Sequence, residues 1–172
     1  MHMIFSVSDA QKRAGEPFPI AWEGELDPQS YAGRTVAFDG PAKLNGTMVY
    51  DGKAISVRAE ATAAYRTECA RCTRPFIETV SFRIEERFVR DTMLPDDEDA
   101  YPYTSEQIDM ERPFYDNLLL SLPLVSVCKP DCKGLCPICG TDRNRKMCAC
   151  QTETSGGPFG ALQQLLNENK EV

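Results

Sequence analysis

Residues 55 to 88 read ISVRAEATAAYRTECARCTRPFIETVSFRIEERF. In the first part, Ile55, Val57, Ala59, Ala61, Ala63 and Tyr65 are apolar and alternate with Ser56, Arg58, Glu60 and Thr62. A period of two over this length predicts a strand with one buried face. The second part alternates less cleanly, placing Phe76, Val80, Phe82, Ile84 and Phe88 on one face and Thr79, Ser81, Arg83, Glu85 and Arg87 on the other. The two strands bracket ECARC, so Cys69 and Cys72 are expected at the tip of a long hairpin. Upstream, Asp51-Gly52 separates two β-prone runs, a strong local hairpin signal, which gives at least three strands in meander order. IFSV and FPIAWEGEL are candidate further strands, with Trp22 as a packing residue.

Downstream the period changes. Asp109 can cap a helix through MERPFYDNLLLSL, with Pro113 tolerated in or near the first turn. Ile108, Phe114, Leu118 and Leu122 then share one side, flanked by Tyr115 and Leu119, and Pro123 ends the helix. A short extended segment, LVSV, leads to Cys128. PFGALQQLLNEN reads as a final amphipathic helix docking on its own domain. The expected architecture is α+β: a mostly antiparallel sheet with a long hairpin, a helix after an acidic linker, and a small Cys-rich, zinc-binding C-terminal module. The expected organisation is a β-rich domain over residues 1–90, a linker over 91–108, and helix, zinc tail and short helix packing on the sheet over 109–172.

The chain has 172 residues and a net charge of −7. Residues 91–112 carry eight acids against one base, as large an excess as that of the whole chain. Residues 53–90 instead carry eight bases against five acids, and residues 128–150 five against two. The cysteine-bearing segments are therefore mildly basic, and the acidic run reads as a solvated linker. No apolar stretch approaches the roughly 18 residues of a membrane span, and the N-terminus lacks a secretory layout. The cytoplasm is the expected location, with no membrane partner. The single histidine is His2, there is no phosphate-binding glycine loop, and no carboxylate cluster lies in a recognisable pocket. The residues read as a binding or scaffold protein, with no catalytic residues, rather than an enzyme.

Eight cysteines in short-spaced pairs, in a reducing compartment, point to metal rather than disulfides. Cys136 and Cys139 form the knuckle CPICG, where Gly140 permits the positive φ of a turn that aims two sulfurs at one ion. In CAC, Cys148 and Cys150 share a side of an extended chain, and eight residues separate the two pairs. These four make a self-contained site. Cys69 and Cys72, from a weaker knuckle with Thr73 in place of Gly, would join Cys128 and Cys132 in a second site that clamps the hairpin tip to the tail. Two structural Zn²⁺ ions are the expected cofactors. A pairing of Cys69 and Cys72 with Cys136 and Cys139 is the rival. The C-x₃-C-x₂-C spacing of Cys132, Cys136 and Cys139 also occurs in enzymes that hold a [4Fe–4S] cluster to cleave S-adenosylmethionine. Those need a large barrel after the motif, which residues 140–172 cannot supply. Thioredoxin-like use of Cys69 and Cys72 needs a helix N-terminus, not hairpin strands.

ECARC followed by Pro75-Phe76 and a strand, then an acidic gap, LLLSLPLVSVCKPDCKGLCPICG, Asn144, CAC and PFGALQQLL resembles the YceD family, the large ribosomal RNA subunit accumulation proteins of bacteria and plastids. The resemblance covers roughly residues 15–168, and Arg143 departs from it where an apolar residue is expected. It implies a ribosome biogenesis role, in accumulation or processing of large-subunit (23S) rRNA through binding of that RNA or a pre-ribosomal particle. Compatible contacts are Arg58, Arg66, Arg71, Arg74, Arg83 and Arg87 on the hairpin and Lys129, Lys133, Arg143, Arg145 and Lys146 around the cysteines. Ordinary solvated charge is the competing reading of each, with thiolate neutralisation for the last group. The alternative is a zinc-stabilised module recruiting a ribosomal protein or nuclease (RNase).

Overall fold

The computed structural model describes residues 3–91 and 100–150. His2, the acids Asp96 to Asp99 and the helix expected over 158–169 lie outside the described residues. The elements are β1 (Ile4–Ser6), α1 (Ser8–Lys12), β2 (Phe18–Gly24), β3 (Gln29–Tyr31), β4 (Arg34–Phe38), β5 (Ala42–Tyr50), β6 (Ala54–Glu68), β7 (Pro75–Arg90), β8 (Tyr101–Tyr103), β9 (Gln107–Asp109) and α2 (Glu111–Ser121). Two compact units are formed, one of Met1–Cys69 with Arg74–Cys128 and the other of Ala70–Thr73 with Lys129–Val172.

The first unit is organised around β6. Strand β7 pairs with it antiparallel from Ala54↔Val89 to Glu68↔Pro75. On its other edge β5 pairs over Ile55 to Thr62 and β4 over Tyr65 and Arg66, β2 flanks β5, and β3 flanks β4. The alternation read from the sequence holds: Ile55, Val57, Ala59, Ala61, Ala63 and Tyr65 are all buried, as are Val80, Phe82, Ile84 and Phe88. The β5–β6 turn forms at Asp51-Gly52, where Asp51 Oδ1 accepts the N–H groups of Lys53 and Ala54, each at 2.8 Å.

Helix α2 packs into this core through Phe114 and Leu118, neither accessible to solvent. The Phe114 ring meets Phe82 at 5.2 Å and Trp22 at 5.9 Å between centroids, edge-on geometries favoured by the ring quadrupoles. Met110, not Asp109, occupies the helix cap, while the Asp109 carboxylate accepts the Glu111 N–H at 2.8 Å. Leu122 is buried as expected; Ile108 is buried too, but in β9 rather than on the helix where the sequence put it.

Two further readings are corrected. IFSV pairs not with the main sheet but with β9, in a separate two-stranded sheet. Within the stretch read as linker, 101–103 and 107–109 are strands, because Tyr103 and Ile108 supply buried side chains that the surrounding acids obscured. The extended segment read for LVSV bends at Leu124 and Val125. Ser126 turns inward, its Oγ 3.3 Å from the Tyr65 hydroxyl, and leaves Leu124 and Val125 in solvent.

Candidate metal centres

The β6–β7 hairpin closes at Glu68↔Pro75. Cys69 begins the loop, its N–H donating to Arg74 O at 2.9 Å. Thr73, after Cys72, adopts φ 56°, close to the 72° of Gly140 at the same place in the second knuckle. Its hydroxyl donates to Cys72 O at 2.8 Å, a local bond that helps hold a β-branched residue in a left-handed conformation costing about 1–2 kcal/mol. Both knuckles therefore turn alike although only one carries glycine.

In the second unit, Cys132 N–H donates to Lys129 O at 3.1 Å, closing the CKPDC turn, and Gly140 N–H donates to Cys136 O at 2.9 Å, closing CPICG. Arg71 links these segments to its own knuckle. Its guanidinium donates to Cys132 O at 3.0 Å and Pro130 O at 3.3 Å, while its carbonyl accepts the Leu135 N–H at 2.9 Å. Gly134, between them, has φ 67°, and a Cβ there would stand 2.8 Å from Arg71 O. Only glycine fits both demands.

None of the eight cysteines is in a disulfide, and they gather as two sets of four: Cys69, Cys72, Cys128 and Cys132, and Cys136, Cys139, Cys148 and Cys150. Within each set every sulfur lies within 4.8 Å of the others. A zinc–sulfur bond of about 2.3 Å implies sulfurs about 3.8 Å apart in a tetrahedron, so both sets fit such an ion after small adjustment. Cys69 and Cys72 thus meet Cys128 and Cys132, not Cys136 and Cys139.

Hydrogen bonds prepare the second set for an ion. The N–H groups of Cys139 and Ile138 lower the Cys136 thiol pKa. Bonding to Thr141, 3.2 Å away, brings that of Cys139 down to about 6. Cys148, bonded to Cys136, and Cys150, bonded to Cys139, are pushed upward, the latter to about 12. Four sulfurs this close do not all ionise on their own. A divalent cation removes that conflict, since it binds thiolates.

Asn144 ties the sets together. It belongs to the loop between Cys139 and Cys148, yet its Nδ2 donates to Cys132 Sγ at 3.4 Å and its Oδ1 accepts the Lys133 N–H at 2.9 Å. Asp142 holds it in place, accepting the Asn144 N–H at 2.9 Å. Asp-x-Asn in a turn signals such a side-chain-bonded loop, but the sulfur it reaches could not be read from spacing.

The cations proposed for RNA separate by environment. Arg66 binds Asp39 at 2.6 Å, and Arg83 and Arg87 lie 3.7 and 3.8 Å from Glu60 and Asp51. Arg58 faces Glu85 across the ladder. Arg71 is structural, Arg74 is engaged in an interaction of its own, and Lys129 and Arg145 lie 3.4 and 3.7 Å from Asp131 and Asp142. Lys133, Arg143 and Lys146 are exposed. Among the described residues no helix is long and apolar enough to cross a membrane.

Against known proteins, a family profile described as Large ribosomal RNA subunit accumulation protein YceD matches residues 57–166. An uncharacterized protein of Mycobacterium tuberculosis is 34% identical over 111 residues, 61% of this chain and 54% of that protein. The chloroplastic large ribosomal RNA subunit accumulation protein YCED homolog 1 of Arabidopsis thaliana is 27% identical over 73 residues, 41% of this chain and 23% of that protein. Its Zea mays counterpart is 35% identical over 63 residues, 36% of this chain and 22% of that protein. The chain spans about half the length, or less, of these curated relatives. No solved structure matches.

Proposed function

From the premise that the chain belongs to the YceD family, we propose that it is a ribosome biogenesis factor promoting accumulation or processing of large-subunit (23S) rRNA. It does so without catalysis, by binding that RNA or a pre-ribosomal particle, with two structural Zn²⁺ ions shaping the binding unit. The observation that carries this reading is that the matched residues 57–166 include all eight cysteines of the two sets. The name of the plant relatives supplies the RNA. Each ion would replace the thiol protons of its set and fix loops that bury few apolar side chains of their own.

Depleting the protein is expected to lower 23S rRNA relative to 16S rRNA, and crosslinking in cells to recover large-subunit rRNA. An unchanged ratio together with no rRNA above background would sink the proposal. Metal analysis should give two zincs per chain, and stoichiometric iron would overturn the assignment of the ion.

One observation favours a second reading, a module that recruits a ribosomal protein or nuclease. Leu120, Leu124 and Val125 are 80%, 98% and 64% exposed on neighbouring positions, an apolar surface of the kind partners cover. Replacing all three by Ser should abolish co-purification of such a partner while leaving RNA crosslinking intact. Loss of crosslinking instead would speak against this division of labour.

A further inference from the structure

The cations of the cysteine-bearing unit are less fully paired than the arginines on the solvent face of the hairpin. On the hairpin each arginine of the solvent face has a carboxylate beside or opposite it: Arg83 with Glu60, Arg87 with Asp51, Arg66 with Asp39, Arg58 with Glu85. Between residues 128 and 150 there are five bases and two acids. Lys129 and Arg145 take both acids, Asp131 and Asp142. The side chains of Lys133, Arg143 and Lys146 make no ion pair with any described residue.

These three stand on two adjoining loops whose backbones are fixed. Arg143 N–H donates to Gly134 O at 3.0 Å, and Lys133 N–H to Asn144 Oδ1 at 2.9 Å, so positions 133–134 and 143–144 lie side by side. Lys146 N–H and Arg145 N–H donate to Asp142 O at 3.1 and 3.0 Å, closing the turn that carries the third cation. Cations on a rigid platform lose little backbone entropy when they engage a ligand. Ile138 and Met147 are 60% and 74% exposed in the same unit, giving apolar surface for a ribose or base.

We propose that Lys133, Arg143 and Lys146 form the surface through which the cysteine-bearing unit grips the phosphate backbone of RNA, without reading its sequence. This rests on the RNA-binding reading above and narrows it from eleven candidate cations to three. Phosphate contacts position an RNA and release counterions, whereas specificity needs contacts to base edges. Three flexible or forked cations suit the first task.

The competing role for these side chains is to offset the negative charge of thiolate-bound metal. The experiment compares the metal-loaded full-length protein with K133Q, R143Q, K146Q and the triple variant. It measures binding to a large-subunit rRNA fragment and to an unrelated single-stranded RNA of equal length across a salt series, and metal content in every sample. Each cation removed from the phosphate backbone should reduce the slope of log affinity against log salt by about 0.7–0.9, so the triple variant should fall by about two to three units. The reduction should be equal for both RNAs, with two metals retained. A slope unchanged in the triple variant overturns the proposal. So does metal loss in every variant that binds RNA less tightly, which would assign the cations to the thiolates, or competition by polyglutamate as effective as by RNA. Failure of the wild-type protein to bind either RNA would instead remove the RNA reading itself.

Discussion

Asn144 Nδ2 donates to Cys132 Sγ at 3.4 Å, so a residue from the loop closing one cysteine set supports a sulfur of the other. Hydrogen bonds to ligand sulfurs orient them and stabilise the thiolate, and loss of such an outer partner typically costs 10–100-fold in metal affinity. Asn144→Ala should therefore weaken metal at Cys69, Cys72, Cys128 and Cys132 by that order, and metal at the other set less. Chelator competition followed by thiol alkylation and peptide mass analysis would resolve the two by which cysteines become reactive. Equal weakening of both would show that Asn144 acts on the loop as a whole.

Gly134→Ala is expected to be more damaging than any surface substitution nearby. The left-handed backbone at φ 67° costs a non-glycine residue about 1–2 kcal/mol. The added Cβ also meets a backbone oxygen, that of Arg71, at 2.8 Å, where no side-chain rotation gives relief. The combined cost should reach about 2–3 kcal/mol, read as faster metal release and earlier proteolysis after Cys128. Wild-type release rates would mean that the two loops separate without penalty.

Arg71 looked from the sequence like an RNA contact, and its geometry makes it a support. Its guanidinium holds Pro130 O and Cys132 O, 59 and 61 residues away in sequence. Charge-assisted bonds of this kind contribute about 1.5–3 kcal/mol when desolvated and less here, where one is exposed. Arg71→Lys keeps the charge and loses the fork. It should speed metal release about as much as Arg71→Gln, with no change in the salt dependence of RNA binding beyond that of Gln. Full recovery by Lys would return Arg71 to the RNA surface.

The sheet and the set Cys136, Cys139, Cys148 and Cys150 were legible because each rests on a short-range rule, whereas the other set was reached only as the remainder, with a rival pairing open. Period two marked β6 and β7, Asp51-Gly52 marked the turn, and C-x₂-C marked the knuckles. What escaped depends on contacts distant in sequence. Strands β8 and β9 are three residues long, too short for any period, and are held by partners such as Phe88 and Phe5. The β3–β4 hairpin turns at Ala32-Gly33, with Ala32 at φ 50°, a pair that lacks the usual Asn or Asp signal. Thr73 takes a glycine's conformation through its own hydroxyl. Asn144 was visible as a residue, but not its sulfur.

Asp51 gives the sheet a pH dependence. The N–H groups of Ala54 and Lys53 lower its carboxyl below the ordinary 3.8, so the ionised form is favoured in the folded state. The contribution is present above the unfolded value and disappears as pH falls through the lower, folded one. The side chain is half exposed, so solvent screens the effect, and Asp51→Ala should cost about 1 kcal/mol at pH 7. Urea unfolding followed by Trp22 emission at pH 7 and near pH 2 should show that difference shrinking at the acid end. A constant difference would assign it to backbone preference at the turn.

Metal removal should separate the two units energetically. Trp22 reports the first, because its ring packs on Phe114 in a core that needs no cysteine side chain. The second unit has few large buried apolar side chains among its described residues, so its loops should depend on bound metal if the two sets hold it. Structural zinc contributes about 10–16 kcal/mol of apparent binding energy in small domains, an amount such loops cannot replace by packing. Excess chelator should therefore leave Trp22 emission and the strand circular dichroism close to native while making residues 129–150 sensitive to limited proteolysis. Adding zinc back should restore protection. Protection that persists in chelator would mean that hydrogen bonds such as those of Arg71 and Asn144 hold the unit by themselves, and loss of the Trp22 signal would mean that the sheet needs the metal too.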